Sequence, residues 1–104
     1  MTKRKMTFSE LNERVLIWAH EKGILEKATK FKQAQKTLEE CGELLHAIGA
    51  GDKDEIKDAI GDVLVTIIIQ AEMNDLDIRD CLRSAYDVIK GRSGKMVNGQ
   101  FVKD

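Results

Sequence analysis

Apolar residues in the first part of the chain recur at helical spacing. Leu11, Val15 and Trp18 lie three or four residues apart, as on one face of an amphipathic helix. The segment Thr7–Glu10 directly before them fits a capping box, in which the threonine caps the helix and the glutamate returns a hydrogen bond. Gly23 fits the position just after a helix end. The pattern predicts a first helix between these signals.

Three more helices and a hairpin are predicted downstream. The helices run from about Lys27 to Ile48, from about Lys53 to Met73 and from Asp77 to just before Gly91, with a cap at Asp52 and stop signals at Gly49, Gly51 and Asn74. Asn98-Gly99 between two short apolar runs predicts a hairpin. A lone hairpin is marginal in water, so we expect it to pack on the helices or on a neighbouring subunit. The expected fold is an all-α four-helix bundle with a short C-terminal β-hairpin, in a single domain over residues 1–104.

The third predicted helix changes character along its length. From Val63 to Ala71 it is apolar on nearly every side. A helix of this kind has to be covered all round. A chain of 104 residues with four helices offers too little surface to cover it alone. We therefore expect a homo-oligomer, a dimer or a tetramer, with this helix at its centre.

Composition narrows the class of protein. The chain has 17 Lys and Arg against 18 Asp and Glu, a net charge of −1, which gives no sign of a nucleic-acid partner. Its longest apolar run is too short to span a bilayer, so no membrane partner is expected. No signal peptide is recognisable, and Cys41 and Cys81 fit buried free thiols. These observations predict a cytoplasmic protein.

The acidic residues carry the clearest chemical pattern. Glu40 and Glu43 lie one turn apart on the second predicted helix, and Asp58 and Asp62 lie one turn apart on the third. A short turn joins the two helices, so we expect them to be antiparallel neighbours whose carboxylates converge. Converging like charges are unfavourable without a cation, and hard oxygen ligands suit Mg²⁺ or Mn²⁺. A solvated helix face is the alternative interpretation of the same spacing.

Two sequence motifs resemble those of the MazG-type nucleotide pyrophosphohydrolases. The run Lys36–Leu44 is similar to the first metal motif of that family, with Glu40 and Glu43 as its Glu-x-x-Glu. The run Ala59–Leu64 is similar to the second motif, Glu-x-x-Asp, with Asp62 at the aspartate. The resemblance extends from about Trp18 to the C-terminus and is strongest to small, single-domain, phage-type members.

One position departs from the family pattern. Ala59 stands where the family has a glutamate, and Asp58, one turn from Asp62, is the candidate replacement. The resemblance implies Mg²⁺-dependent cleavage of a nucleoside triphosphate into a monophosphate and pyrophosphate, with Mn²⁺ as a possible substitute. The metal would be held by Glu40, Glu43, Asp58 and Asp62.

Further roles follow from the same resemblance. Glu39 lies beside the acidic cluster and is a candidate general base or further ligand. Lys36 is a candidate phosphate ligand, and Trp18 could stack a base, although an apolar helix stripe also suits a core tryptophan. Three more basic residues are candidates for phosphate binding or for complementing the dipole of the fourth helix: Lys90, Arg92 and Lys95.

Other functions fit parts of the sequence. Glu43 and His46 form a Glu-x-x-His motif, of which ferritin-like di-iron proteins use two copies, and a dimer would supply the second copy. A catalytically inactive helical module for nucleotide binding or protein interaction is another alternative, since Ala59 removes a family ligand. A phosphoribosyl-ATP pyrophosphatase is a relative within the same reaction class.

Overall fold

Five helices and one β-hairpin make up the part of the chain that the computed structural model describes, residues 4–104. The helices are α1 (Phe8–Glu21), α2 (Ile24–Lys27), α3 (Lys30–Ala50), α4 (Lys53–Met73) and α5 (Ile78–Ile89), and the strands are β1 (Gly94–Val97) and β2 (Gln100–Lys103). The predicted bundle with a terminal hairpin is therefore confirmed, with one more helix than expected. None of the helices in these residues combines the length and the hydrophobicity that a membrane span requires.

Side-chain caps fix the starts of α1, α3, α4 and α5. Thr7 Oγ1 accepts the backbone N–H of Glu10 at 3.1 Å, and Glu10 Oε1 accepts the backbone N–H of Thr7 at 3.3 Å, which is the predicted capping box. Asp52 accepts backbone N–H groups in the first turn of α4, and Asp77 does the same for α5. These local signals place the starts of α1, α4 and α5 where the sequence predicts them.

The predicted start of the second long helix at Lys27 was wrong. Lys27 ends the short helix α2, and the backbone is extended at Ala28 and Thr29. Thr29 Oγ1 then accepts the backbone N–H of Lys32 at 3.1 Å and caps α3. The far end of α3 also differs, because the helix continues through Gly49 and ends only at Gly51, whose φ of 71° is left-handed.

Helices α3 and α4 form the main antiparallel pair of the fold. Gln33 Nε2 donates to the carbonyl of Thr66 at 3.2 Å, and Thr37 Oγ1 lies 3.0 Å from Thr66 Oγ1. One turn further along, Gln70 Nε2 donates to the carbonyl of Lys30 at 2.9 Å. Residue numbers thus increase along α3 in the direction in which they decrease along α4. This confirms the predicted antiparallel arrangement.

Helix α4 is the centre of the chain. It contacts α1, α2, α3 and α5, and α5 lies against its C-terminal half. The buried apolar residues of the described part are small or come from α4: Ala19, Ala47, Ala59, Ile68, Ile69 and Ala71. No large side chain in residues 4–104 is completely buried. The chain thus leaves part of α4 uncovered, because Ile60 in its N-terminal half and Leu64 near its middle are exposed.

The hairpin has the turn that Asn-Gly predicts. Asn98 and Gly99 both have positive φ values, 50° and 86°, as a type I′ turn requires. Strands β1 and β2 pair antiparallel with Met96 opposite Phe101. Both side chains are exposed, and the hairpin stands largely apart from the helices. The expectation that it packs closely on the helices is thus wrong for one chain, and packing on a neighbouring subunit stays a prediction.

Candidate metal centre

Three carboxylates meet between α3 and α4. Glu40 and Glu43 lie one turn apart on α3, and the antiparallel partner helix brings Asp62 to the same point. One carboxylate oxygen from each residue lies within 4.8 Å of the others. Such oxygens repel one another when all three groups are ionised. Hard oxygen donors at this separation fit a divalent cation such as Mg²⁺ or Mn²⁺.

The burial of Glu40 gives this cluster its strongest chemical feature. Its side chain is only 13% exposed, and Oε2 is buried without a hydrogen-bond partner in residues 4–104. The other oxygen, Oε1, lies 3.7 Å from Lys36 Nζ, a distance too long for a strong hydrogen bond. A buried carboxylate oxygen without a partner is costly. A cation at the cluster would satisfy that oxygen, so the donor set fits a metal.

A groove of about 610 Å³ opens over the cluster. Asp58 and Glu39 both lie along it, with Glu43 and Asp62. Asp58 is not among the described residues whose ligand atoms meet within 4.8 Å, so it borders the cluster from the groove wall. The neighbouring Ala59 is buried at 6% exposure and forms part of the groove wall.

Two further polar residues lie along the same groove. Glu55 precedes Asp62 by two turns on α4, so its helical spacing could have placed it there from the sequence. His46 lines the groove beside Glu43, as a Glu-x-x-His motif would require, but it stands outside the three-carboxylate cluster found in residues 4–104. The di-iron alternative therefore gains no additional metal ligand from the described residues.

The predicted basic residues fall into two groups. Lys36 Nζ lies 3.6 Å from Glu39 and 3.7 Å from Glu40, at the edge of the carboxylate cluster. Lys90 instead pairs with Asp87 at 3.2 Å. With Arg92 and Lys95 it follows the end of α5, and none of these three residues lines the groove. One chain therefore brings only the first of the predicted phosphate ligands to the carboxylates.

Trp18 lines two grooves near the carboxylate cluster. It is 45% exposed, so it is not a core residue. With Val65 it lines a groove that reaches Asp62, and also a groove that contains Lys36 and Gln33. The indole therefore faces space that adjoins the cluster from two directions. The role of Gln33 in this second groove could not be read from the sequence, where it is one polar residue on a helix face.

Comparison with known proteins assigns the family. The MazG nucleotide pyrophosphohydrolase domain matches residues 28–97, which is more than half of the chain. The chain belongs to this family, as its two acidic motifs predict. Both motifs, with the three clustered carboxylates, fall inside the matched range.

Similar curated proteins are longer than this chain. An uncharacterized 18.2 kDa protein from the rep-hol intergenic region of Haemophilus phage HP1 is 40% identical over 60 residues, which are 58% of this chain and 37% of that protein. The uncharacterized protein YabN of Bacillus subtilis is 38% identical over 71 residues, 68% of this chain and 14% of that protein. The chain thus spans well under half the length of either relative.

One solved structure shares the whole fold. It is the cyanophage S-2L MazG-like pyrophosphohydrolase, bound to dGDP and three catalytic Mn²⁺ ions per active site. The likeness has a TM-score of 0.72 at 24% identity and covers 96% of this chain and 99% of that chain. At this identity the match establishes the fold.

Proposed function

We propose that the chain is a Mg²⁺-dependent nucleoside triphosphate pyrophosphohydrolase, which converts a ribo- or deoxyribonucleoside triphosphate and water into the monophosphate and pyrophosphate. The observation that carries the proposal is the cluster of Glu40, Glu43 and Asp62 inside a MazG domain. The buried Glu40 Oε2, which has no hydrogen-bond partner in residues 4–104, supports it independently of the family assignment. The cyanophage enzyme of the same fold, which binds a nucleotide and Mn²⁺, supports Mn²⁺ as a substitute.

In this proposal the three clustered carboxylates hold the cation. Asp58 contributes from the groove wall and compensates for Ala59, directly or through a water molecule. When bound, Mg²⁺ would neutralise charge on the phosphate oxygens and lower the pKa of a bound water. The open groove beside Asp58 leaves space for the triphosphate.

Glu39 and the basic residues have separate roles in this proposal, one in proton transfer and the other in phosphate binding. Glu39 lies on the groove with its side chain 67% exposed, so water reaches it, and we assign it as the base that accepts the proton of the attacking water. Lys36 would turn from Glu39 and Glu40 towards a phosphate oxygen, because its distances of 3.6 and 3.7 Å to these carboxylates are too long for strong hydrogen bonds. Lys90, Arg92 and Lys95 stay candidates for phosphate binding from a second copy of the chain.

We also propose that the active form is a homo-oligomer, a dimer or a tetramer. Three large apolar side chains at seven-residue spacing on α3 are more than 70% exposed: Phe31, Leu38 and Leu45. Seven-residue spacing gives one continuous stripe along a helix. On a helical-wheel count this stripe lies on the side of α3 away from Glu40 and Glu43. On α4, Ile60 and Leu64 are also large apolar side chains that one chain leaves exposed.

Pyrophosphate release from the eight common NTPs and dNTPs tests the proposed function. We expect release with Mg²⁺, partial replacement by Mn²⁺, and no release with EDTA. Monophosphate should appear in equal amount to pyrophosphate. Absence of release from every nucleotide by a folded protein with Mg²⁺ would refute the activity and favour the inactive helical module.

A further inference from the structure

The side-chain amide of Gln33 is held in one orientation between α3 and α4. Gln33 is only 7% exposed, and its Nε2 donates to the backbone carbonyl of Thr66 at 3.2 Å. A carbonyl accepts hydrogen bonds and cannot donate one, so this contact identifies which end of the amide is nitrogen. Thr66 is itself fixed, because its hydroxyl donates to the carbonyl of Val63 at 2.7 Å. The amide oxygen therefore has a defined direction.

That oxygen is free to accept a hydrogen bond. Gln33 Oε1 accepts none from residues 4–104, and it is not one of the fully buried polar atoms without a partner in that range. Gln33 lines a groove of about 340 Å³. A mostly buried side chain beside this groove thus keeps one acceptor without a partner in residues 4–104.

The groove has the chemistry of a site for a flat, apolar-faced group. Trp18 forms one wall, with apolar walls from Ile24, Val65 and Ile69. An indole ring and a few placed polar atoms are typical of ligand sites, and aromatic rings stack well on nucleobases. The volume is at the small end for a ligand pocket, which suits one base and leaves the phosphates outside.

Two residues that line the groove connect it to the carboxylate cluster. Lys36 lines it and lies 3.7 Å from Glu40. Trp18 lines it and also the groove that reaches Asp62. Gln33 precedes Glu40 by two turns on the same helix, which is about 10 Å along the axis. A nucleotide extended along α3 would span that interval, with its base by Gln33 and its phosphates by the carboxylates.

We propose that Gln33 is a specificity-determining residue, whose Oε1 accepts an N–H group of a nucleobase stacked against Trp18. The inference rests on the proposed function for the position of the phosphates. The preferred bases are those that present an N–H donor, from an exocyclic amino group or from a ring nitrogen, at the point that Gln33 faces. A base without a donor there leaves a mostly buried acceptor unpaired and binds less well.

Trp18 provides a readout that does not need catalysis. It is the only tryptophan of the chain, so fluorescence quenching by a stacked base reports binding of nucleoside monophosphates directly. We compare the wild type with Gln33→Met, which keeps the side-chain length and removes both the acceptor and the amide donor to Thr66. Gln70→Met is the matched control, because Gln70 also joins α4 to α3 through an amide-to-carbonyl hydrogen bond but lies outside this groove.

The expected result is a loss of nucleotide affinity whose size depends on the base. Gln33→Met should weaken binding of the preferred monophosphate about five- to tenfold, the effect of one neutral hydrogen bond, and reduce the preference among bases. Gln70→Met should keep the wild-type order of bases. An equal loss for all bases in Gln33→Met would overturn the proposal, since a structural role alone predicts that outcome.

Base analogues give a test that does not depend on the variant folding. For the preferred base, methylation of the exocyclic amino group or of the ring N–H should weaken wild-type binding at one of these positions, which identifies the donor. Wild-type binding that tolerates the loss of every N–H would overturn the proposal. Base-selective quenching without pyrophosphate release would refute the proposed activity alone, whereas release with no base selectivity would refute the role of Gln33 alone.

Discussion

Glu40 on α3 and Asp62 on α4 place carboxylate oxygens within 4.8 Å of each other across the helix pair. Their closeness depends on the antiparallel register that Gln33, Thr37 and Thr66 fix one to two turns away. The polar contacts that align the two helices thus also position the acidic cluster. A cation at this point would offset the repulsion that the arrangement otherwise costs.

Removal of the negative charge of Glu40 or of Asp62 should abolish most of the hydrolytic activity. We expect Glu40→Gln and Asp62→Asn each to lower the rate of hydrolysis at least about a hundredfold, because a positioned metal would be lost. Pyrophosphate release and Mn²⁺ binding by titration calorimetry measure the two effects. Glu26→Gln, an exposed acid on α2 outside the groove, is the control. Near-normal rates in both site variants would refute the site.

Asp58 should matter because Ala59 cannot bind metal. We expect Asp58→Asn to weaken metal binding about tenfold and to raise the Mg²⁺ concentration needed for half-maximal activity, since one negative charge leaves the groove. Asp54→Asn, one turn earlier on α4 and outside the groove, should leave the Mg²⁺ dependence unchanged. If Asp58→Asn shows the wild-type Mg²⁺ dependence, Asp58 does not compensate for Ala59.

The exposed apolar stripe of α3 should mediate self-association. Light scattering at micromolar concentration should find a dimer or a tetramer, because Leu38 and Leu45 are each more than 70% exposed in one chain. Leu38→Glu should shift the mass towards the monomer by placing a charge in the apolar contact. A wild-type chain that is monomeric at these concentrations would contradict the proposal.

Stability should fall in acid through two carboxylates. The Arg4 guanidinium and then the Thr7 backbone N–H lower the pKa of Glu10 from 4.5 to about 2. Hydrogen bonds from Arg79 lower the pKa of Asp77 from 3.8 to about 2. A pKa that is lower in the folded state contributes stability above the unfolded value, and this contribution is lost as the pH falls from about 4.5 to about 2.

Urea unfolding between pH 7 and pH 2 measures this effect. Glu10→Gln combined with Asp77→Asn should show a smaller loss of unfolding free energy over this range than the wild type, because neither side chain then titrates. Both carboxylates are at the surface, so the difference should be modest. Glu26→Gln should behave as the wild type does. An identical acid dependence in the double variant would show that the two ion pairs do not contribute.

Local signals made much of the fold predictable from sequence. Thr7, Asp52 and Asp77 are side-chain caps whose hydrogen bonds involve only the next few residues, so the helices they start were predicted correctly. Thr29 has the same chemistry, but the short helix α2 before it merges into one apolar pattern with α3. The sequence pattern therefore did not predict the break between α2 and α3 at Ala28 and Thr29.

The candidate site, like the fold, has features that the sequence predicts and features that only the structure shows. The spacing of Glu40, Glu43 and Asp62, with one short turn between their helices, was enough to predict that they meet. The burial of Glu40 Oε2 and the free oxygen of Gln33 depend on how three helices pack side by side. No local sequence pattern predicts how these helices pack, so both features could be found only from the structure.

Phosphorus-31 NMR of a reaction with the best substrate of the panel tests the central claim most directly. With Mg²⁺, the spectrum should show pyrophosphate and nucleoside monophosphate rising together as the triphosphate falls, and the change should stop on addition of EDTA. The Glu40→Gln variant should leave the triphosphate intact over the same time. Formation of orthophosphate and nucleoside diphosphate, or cleavage that continues in EDTA, would contradict the account.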